Sequence, residues 1–174
     1  MEQLYENVTA TPDRHAREER FLLQVVPSLH QRASAVSAHH LEGTILQAAR
    51  DSALSSHSFV VLAALSCLYE PQDGSEPMIG RGVIKPTPTY SAADAHNALS
   101  DLRSLELLAL AVGLDGPSIG YCTRDKDLAA FWTHLRVSEP RWSGNSFTAG
   151  LSPAPKLFPR LDENGLRKMF LRLR

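Results

Sequence analysis

The chain has 174 residues, 43% hydrophobic and 21% charged, which is the length and make-up of one ordinary globular domain. A formal net charge of −1, from 18 basic and 19 acidic residues, excludes a global field drawing it onto nucleic acid or membrane and leaves only local patches for that role. Two cysteines, Cys67 and Cys122, with no CxxC exclude a disulfide framework or a structural zinc site, and both are expected as buried free thiols in a reducing compartment.

The opening MEQLYENV lacks the basic-then-apolar order of a secretion signal. The longest apolar stretch, Phe59 to Leu68, is shorter than the ~20 residues that span a bilayer. A cytoplasmic protein without a membrane partner is therefore expected. Thr11-Pro12-Asp13 marks a helix start, and Arg14 to Val26 follows with Phe21, Leu22, Val25 and Val26 on one face. Past Pro27 the helix is expected to resume through Leu29 to Ala33. Ser37 is placed to cap a second helix carrying Leu41, Ile45, Leu46 and Ala49.

Ser56 to Tyr69 reads equally as a buried strand or a buried helix, because so short an apolar run has no diagnostic period. Glu70 to Tyr90 is a Pro- and Gly-rich surface excursion carrying Arg81 and Lys85, with a short extended piece at Gly82-Val83-Ile84. Ser91 with Asp94 three residues on forms a capping-box pattern. It opens the strongest helix, Ala92 to Val112, which Gly113 is expected to close. Ser118 to Cys122 reads as a short strand, and Asp125 or Asp127 starts another helix with Leu128, Phe131, Trp132 and Leu135 apolar. After Val137 the chain turns loop-like, with one last amphipathic helix after Asp162. The fold class expected is α/β, a helix-rich domain over residues 1–137 with a small, mostly parallel sheet, followed by a Pro/Gly-rich extension over 138–174.

Ala98, Leu105, Leu108 and Val112 make one inward stripe on the long helix, and Asp101 falls at its missing step. A carboxylate on an apolar face needs compensation by a metal ion, an arginine or a helix N-terminus. Asp125 and Asp127 stand where the expected strand runs into a helix, the edge at which open α/β sheets bind ligands. Three converging acids would suit Mg2+ or Mn2+, which take hard carboxylate oxygens and keep some waters. The blander reading of Asp125 and Asp127 is an N-cap, needing no function.

The stretch NALSDLRSLEL, followed by a strand and CTRDKDLAAFW, resembles the C-terminal half of PIN-domain nucleases over about Ala93 to Trp132. The resemblance implies a Mg2+- or Mn2+-dependent ribonuclease, such as the VapC-like toxins of bacterial toxin–antitoxin pairs. RNA is the implied substrate, and an antitoxin-like protein or a second copy an implied partner. It assigns Asp101 and Asp125 to metal acids, Asp127 to an auxiliary acid and Thr123 to a hydroxyl near the metal. Glu42, in HHLEGTIL, would match the family's early-helix glutamate. The family's first strand, ending in Asp-x-Asn, has no counterpart in MEQLYENVTATPD. Glu2 or Glu6 would have to serve instead, the coding region would have to extend upstream, or the domain is an inactive PIN-like or helical interaction module.

Other features carry less. His39 and His40 are neighbours on a helix, about 100° apart, and cannot readily share one ion. Neither cysteine has a base placed beside it, and no phosphate-binding glycine loop is present. Lys156, Arg160, Arg167, Lys168, Arg172 and Arg174 form a basic C-terminal segment able to meet RNA phosphates, an acidic partner or only solvent.

Overall fold

A computed structural model describes residues 12–55, 57–73, 76–115, 119–143 and 146–172. Thr11, Glu2 and Glu6 lie outside them. The described elements run α1 (Pro12–Val25), a 3₁₀ turn (Val26–Leu29), α2 (Ala35–Asp51), α3 (Phe59–Leu68), α4 (Ile79–Ile84) and α5 (Ala92–Asp115). They continue with α6 (Lys126–Leu135), strands β1 (Val137–Ser143) and β2 (Ser146–Leu151), a 3₁₀ turn (Pro155–Leu157) and α7 (Glu163–Arg172).

The sequence FVVLAALSCL settles as a helix, and every one of its ten residues is buried. A helix apolar on all sides has to sit at the centre. The others surround it with one apolar face each: Phe21, Leu22 and Val25 from α1, Ile45, Leu46 and Ala49 from α2, Ala95, Leu99 and Leu102 from α5, and Leu128, Phe131 and Leu135 from α6. Gly80 lets α4 lie directly on α3. A Cβ there would stand 2.2 Å from the Cys67 nitrogen and 2.8 Å from the Ala63 carbonyl oxygen.

The expected mostly parallel sheet is overturned. Among the described residues the only sheet is a two-stranded antiparallel hairpin, β1 with β2, in a part of the chain expected to be loop. Residues 119–123 form no strand, and Ser118 lies outside the described residues. Tyr121 and Cys122 are exposed there, so the segment has neither a buried face nor a ladder partner. The exposed Cys122 also corrects the expectation of a buried thiol. Gly82-Val83-Ile84 is helical within α4, and residues 30–34 do not continue α1.

Helix ends follow local chemistry where the sequence supplies it. Ser91 and Asp94 close the expected capping box: the Asp94 carboxylate accepts from the Ser91 amide at 2.9 Å and the Ser91 hydroxyl accepts from the Asp94 amide at 3.3 Å. The cap of α2 is Ser34, whose hydroxyl accepts from the Ser37 amide. Gly113 does not end α5. It is a packing residue, since a Cβ there would meet the Phe147 ring at 2.6 Å. Phe147 and Ala149 of β2 cover Ala109 and Leu110 of α5, with Trp132 and Trp142 alongside.

Three buried ionic sets tie elements distant in sequence. Arg14 of α1 bonds Glu18 at 2.7 Å and also Glu106 of α5, while Arg103 reaches Glu18 at 3.4 Å. Arg81 of α4 holds the buried Glu70 at 2.7 Å and donates to the carbonyls of Leu29 and His30. Arg172 of α7 meets the buried Glu42 of α2 at 2.6 Å. Replacing Arg14 with Met takes the hydrogen-bonded cation from Glu106 and leaves Glu18 only the longer contact to Arg103, and the expected cost is about 3–5 kcal/mol. Urea unfolding measures it, and a midpoint unchanged from the parent would show that the network adds no net stability.

Candidate functional site

The acids singled out from the sequence part into two groups. Glu42 is 1% exposed and belongs to the structural set of α2, α3 and α7, accepting from the Tyr69 hydroxyl and from Arg172 Nε. Its oxygens are engaged there, so it is placed as an anchor for the C-terminal helix.

Asp101, Asp125, Asp127 and Thr123 gather where α4, α5 and α6 adjoin. Asp125 caps α6: its Oδ1 accepts from the Asp127 amide at 3.0 Å and the Leu128 amide at 2.9 Å. The Thr123 hydroxyl accepts from the Asp125 amide at 3.0 Å and fixes the turn. This is what an aspartate before an amphipathic helix does. The other oxygen, Oδ2, faces Lys85 Nζ at 3.6 Å. Asp127, the second residue of α6, packs its carboxylate over Gly82, where an added Cβ would fall 2.0 Å from Oδ2.

Lys85, expected only as part of a surface excursion, is the cation that the fold brings to Asp125. It ends α4 in the left-handed region, at φ 55° and ψ 58°. For a residue with a Cβ that conformation costs roughly 1–2 kcal/mol. Strain of this kind persists only where the surrounding structure over-determines it. Nothing local in KPTPTY announces it, because the pairing with Asp125 joins positions forty residues apart.

Asp101 lies partly buried on the wall of a cleft of about 350 Å³ lined by Val83, Ile84, Lys85, Asn97, Ser100 and Asp101 among others. Burial pushes its carboxyl above the ordinary range; Lys85 pulls it back, and Asp125 adds to the push. The two carboxylates and the ammonium are thus within electrostatic reach of one another. No hydrogen bond to the Asp101 carboxylate exists among the described residues, and its backbone carbonyl is occupied by the Ser104 hydroxyl. A lysine, which was not among the expected sources, offsets only part of the cost of burying this acid, and the carboxyl stays raised. Three acidic, histidine or cysteine side chains do not converge in a cation-holding cluster among the described residues.

The remaining sequence candidates carry no chemistry. The Cys67 thiol is pushed up to about 12 by burial and is inert as a nucleophile. His39 and His40 are both exposed. Of the basic C-terminal segment, Arg160 is spent on the Ala33 carbonyl and Arg172 on Glu42, while Arg174 lies outside the described residues. No helix among the described residues is long and apolar enough to cross a membrane. Compared with known proteins, the chain matches no family model, no curated protein and no solved structure.

The raised Asp101 carboxyl sets a pH test. Its folded-state proton affinity exceeds the unfolded one, so ionising it subtracts stability as pH rises through and above the ordinary carboxylate range. Asp101→Asn is expected to raise the Tm at neutral pH in EDTA, with the gain vanishing as pH falls below that range. A Tm equal to the parent at every pH would show that the carboxylate is not destabilised. Asp125→Ala should cost about 1 kcal/mol through the lost cap, while Asp125→Asn keeps most of it.

Proposed function

We propose that the cleft between α4 and α5, with the Asp125 cap of α6 beside it at Lys85, is a phosphodiester-hydrolysing site acting on RNA with a divalent cation, in the cytoplasm. The observation that carries this reading is the Asp101 carboxylate: partly buried, without a hydrogen-bond donor among the described residues, and set beside a second carboxylate and an ammonium. The resemblance of Ala93 to Trp132 to PIN-domain nucleases supports it at Asp101, Thr123 and Asp125. The proposal concerns these residues and needs no parallel sheet.

Asp101 and the Lys85-facing Oδ2 of Asp125 would hold the cation, with Asp127 as a neighbour. A bound Mg2+ or Mn2+ supplies Lewis acidity, lowering the pKa of a water and neutralising phosphate charge. Lys85, 3.6 Å from Asp125 Oδ2 and largely exposed, would supply a positive charge to a phosphate oxygen lying beside that carboxylate. In the reaction the water oxygen would bond to phosphorus as the bond to the leaving ribose oxygen breaks, the water's proton ending on that ribose hydroxyl, and Lys85 would offset charge gathering on the phosphoryl oxygens. The Asp125 amide contacts keep that carboxylate fixed throughout.

Cleavage of 5′-labelled RNA in Mn2+ is expected, abolished by EDTA. Asp101→Asn, Asp125→Asn and Lys85→Gln should each lower it by roughly a hundredfold or more, the scale on which loss of one charge-stabilising group is felt. No cleavage at any metal concentration, or equal cleavage by Asp125→Asn, removes the proposal.

A second reading, a non-catalytic protein-interaction module, is favoured by a separate feature. Leu107 and Leu114 of α5 are 60% and 65% exposed and seven residues apart, on one side of the helix. On this reading Leu107→Asp abolishes a protein complex and leaves RNA untouched.

A further inference from the structure

We propose that His15 of α1 and His96 of α5, with Glu19 one helical turn on from His15, form a binding site for a borderline divalent transition ion, Zn2+ first among them, which clamps the two helices together. The site is independent of the hydrolytic reading. Its ligands are imidazole nitrogens, which suit zinc, copper and nickel, whereas the carboxylates at the cleft suit magnesium and manganese. Its ligands are not thiolates, so the lack of a CxxC pair does not bear on it.

The ring centroids of His15 and His96 stand 5.6 Å apart, with the ring planes at 76°. A zinc ion lies in the imidazole plane about 2.0–2.1 Å from the nitrogen, hence about 3.2 Å from the ring centre. Two rings that share one ion at angles between tetrahedral and trigonal therefore have centres about 5.2–5.5 Å apart. The observed spacing meets that requirement without a shift of either helix. The backbones carrying the two rings are fixed by the core and by ion pairs that join the same helices, Arg14 with Glu106 and Arg103 with Glu18.

Neither imidazole has spent its nitrogens. His15 Nδ1 is buried without a hydrogen-bond partner, a costly state for a group able to donate or accept. His15 Nε2 faces Glu19 Oε2 across 3.9 Å, too far for a hydrogen bond. That gap is nearly the sum of a zinc–nitrogen and a zinc–carboxylate bond, about 4.1 Å, so an ion seats between the two at a bent angle. The His96 ring is exposed and has no side-chain hydrogen bond among the described residues. As the side chains stand, three ligand atoms do not converge on one point. A turn of the His96 ring about its own bonds is the movement the ion imposes, and water completes the tetrahedron.

The test is calorimetric titration of the full chain with ZnCl2 after dialysis against EDTA and then buffer, together with thermal unfolding. The parent should bind one Zn2+ more per chain than His96→Ala. Its Tm should rise with the ion, because a ligand taken up by the folded state alone stabilises it. His96→Ala, at an exposed position, should unfold like the parent without metal and lose the Tm gain. Glu19→Gln should weaken the ion by roughly 10- to 100-fold. The double variant His39→Ala/His40→Ala, Cys122→Ser and Asp101→Asn should each keep the ion, which separates the site from the other exposed ligands and from the cleft. With Cu2+ in its place, the paramagnetic resonance spectrum should show nitrogen coupling to two imidazoles, and to one in His96→Ala. Titrations alike for His96→Ala and the parent, an ion lost instead in one of the three control variants, or a Tm that Zn2+ leaves unchanged overturns the clamp.

Discussion

The constraint from which the structure follows is that α3 has no face it can show to water. All ten of its residues are buried, so helices, a turn and the C-terminal segment must cover it on every side. Burying its Phe, Val and Leu side chains contributes roughly 1.5–3 kcal/mol each, and no half-covered arrangement realises that gain. The buried ions follow from the same demand. Glu70 lies just past the end of α3, 2% exposed, and is made tolerable by Arg81. Tyr69 at the end of α3 meets Glu42, and Arg172 completes that set.

The cleft is a by-product of this covering. Gly80 allows α4 to touch the α3 backbone, and a short helix pinned so closely has to end abruptly. It ends at Lys85 in a left-handed conformation, which delivers the ammonium to the cap of α6 and to the Asp101 region of α5. Gly82 leaves room for Asp127 against α4, so α6 approaches along a fixed line. Three charges on three elements thus meet at a rim that the core itself has positioned. Rigid placement of charged groups is what a site needs if it is to stabilise developing charge without reorganising first.

The hairpin shows a different dependence. It closes a small apolar group on the distal part of α5, where Phe147 fits over Gly113. Its strands alternate poorly in hydrophobicity and contain Pro140 and a register irregularity between Ser138 and Arg141. The pairing is fixed by docking on α5 more than by the strands' own composition, since an isolated two-stranded hairpin is marginal in water.

What the sequence determined was local and periodic. The Ser91–Asp94 box, the aspartate cap of α6, the inward faces of α1, α2, α5 and α6 and the final helix are written in three- and four-residue spacings and in capping chemistry. So was the odd position of Asp101 within an apolar stripe. What only the tertiary structure decided was everything that depends on partners remote in sequence. FVVLAALSCL became helix because it had neighbours on all sides, and IGYC stayed irregular because no second strand came to pair with it. Glu42 went to Arg172, 130 residues away, and Asp101 and Asp125 received Lys85. A one-dimensional pattern records which residues one element can bury, and it holds no record of which charge the packed core will bring to meet another.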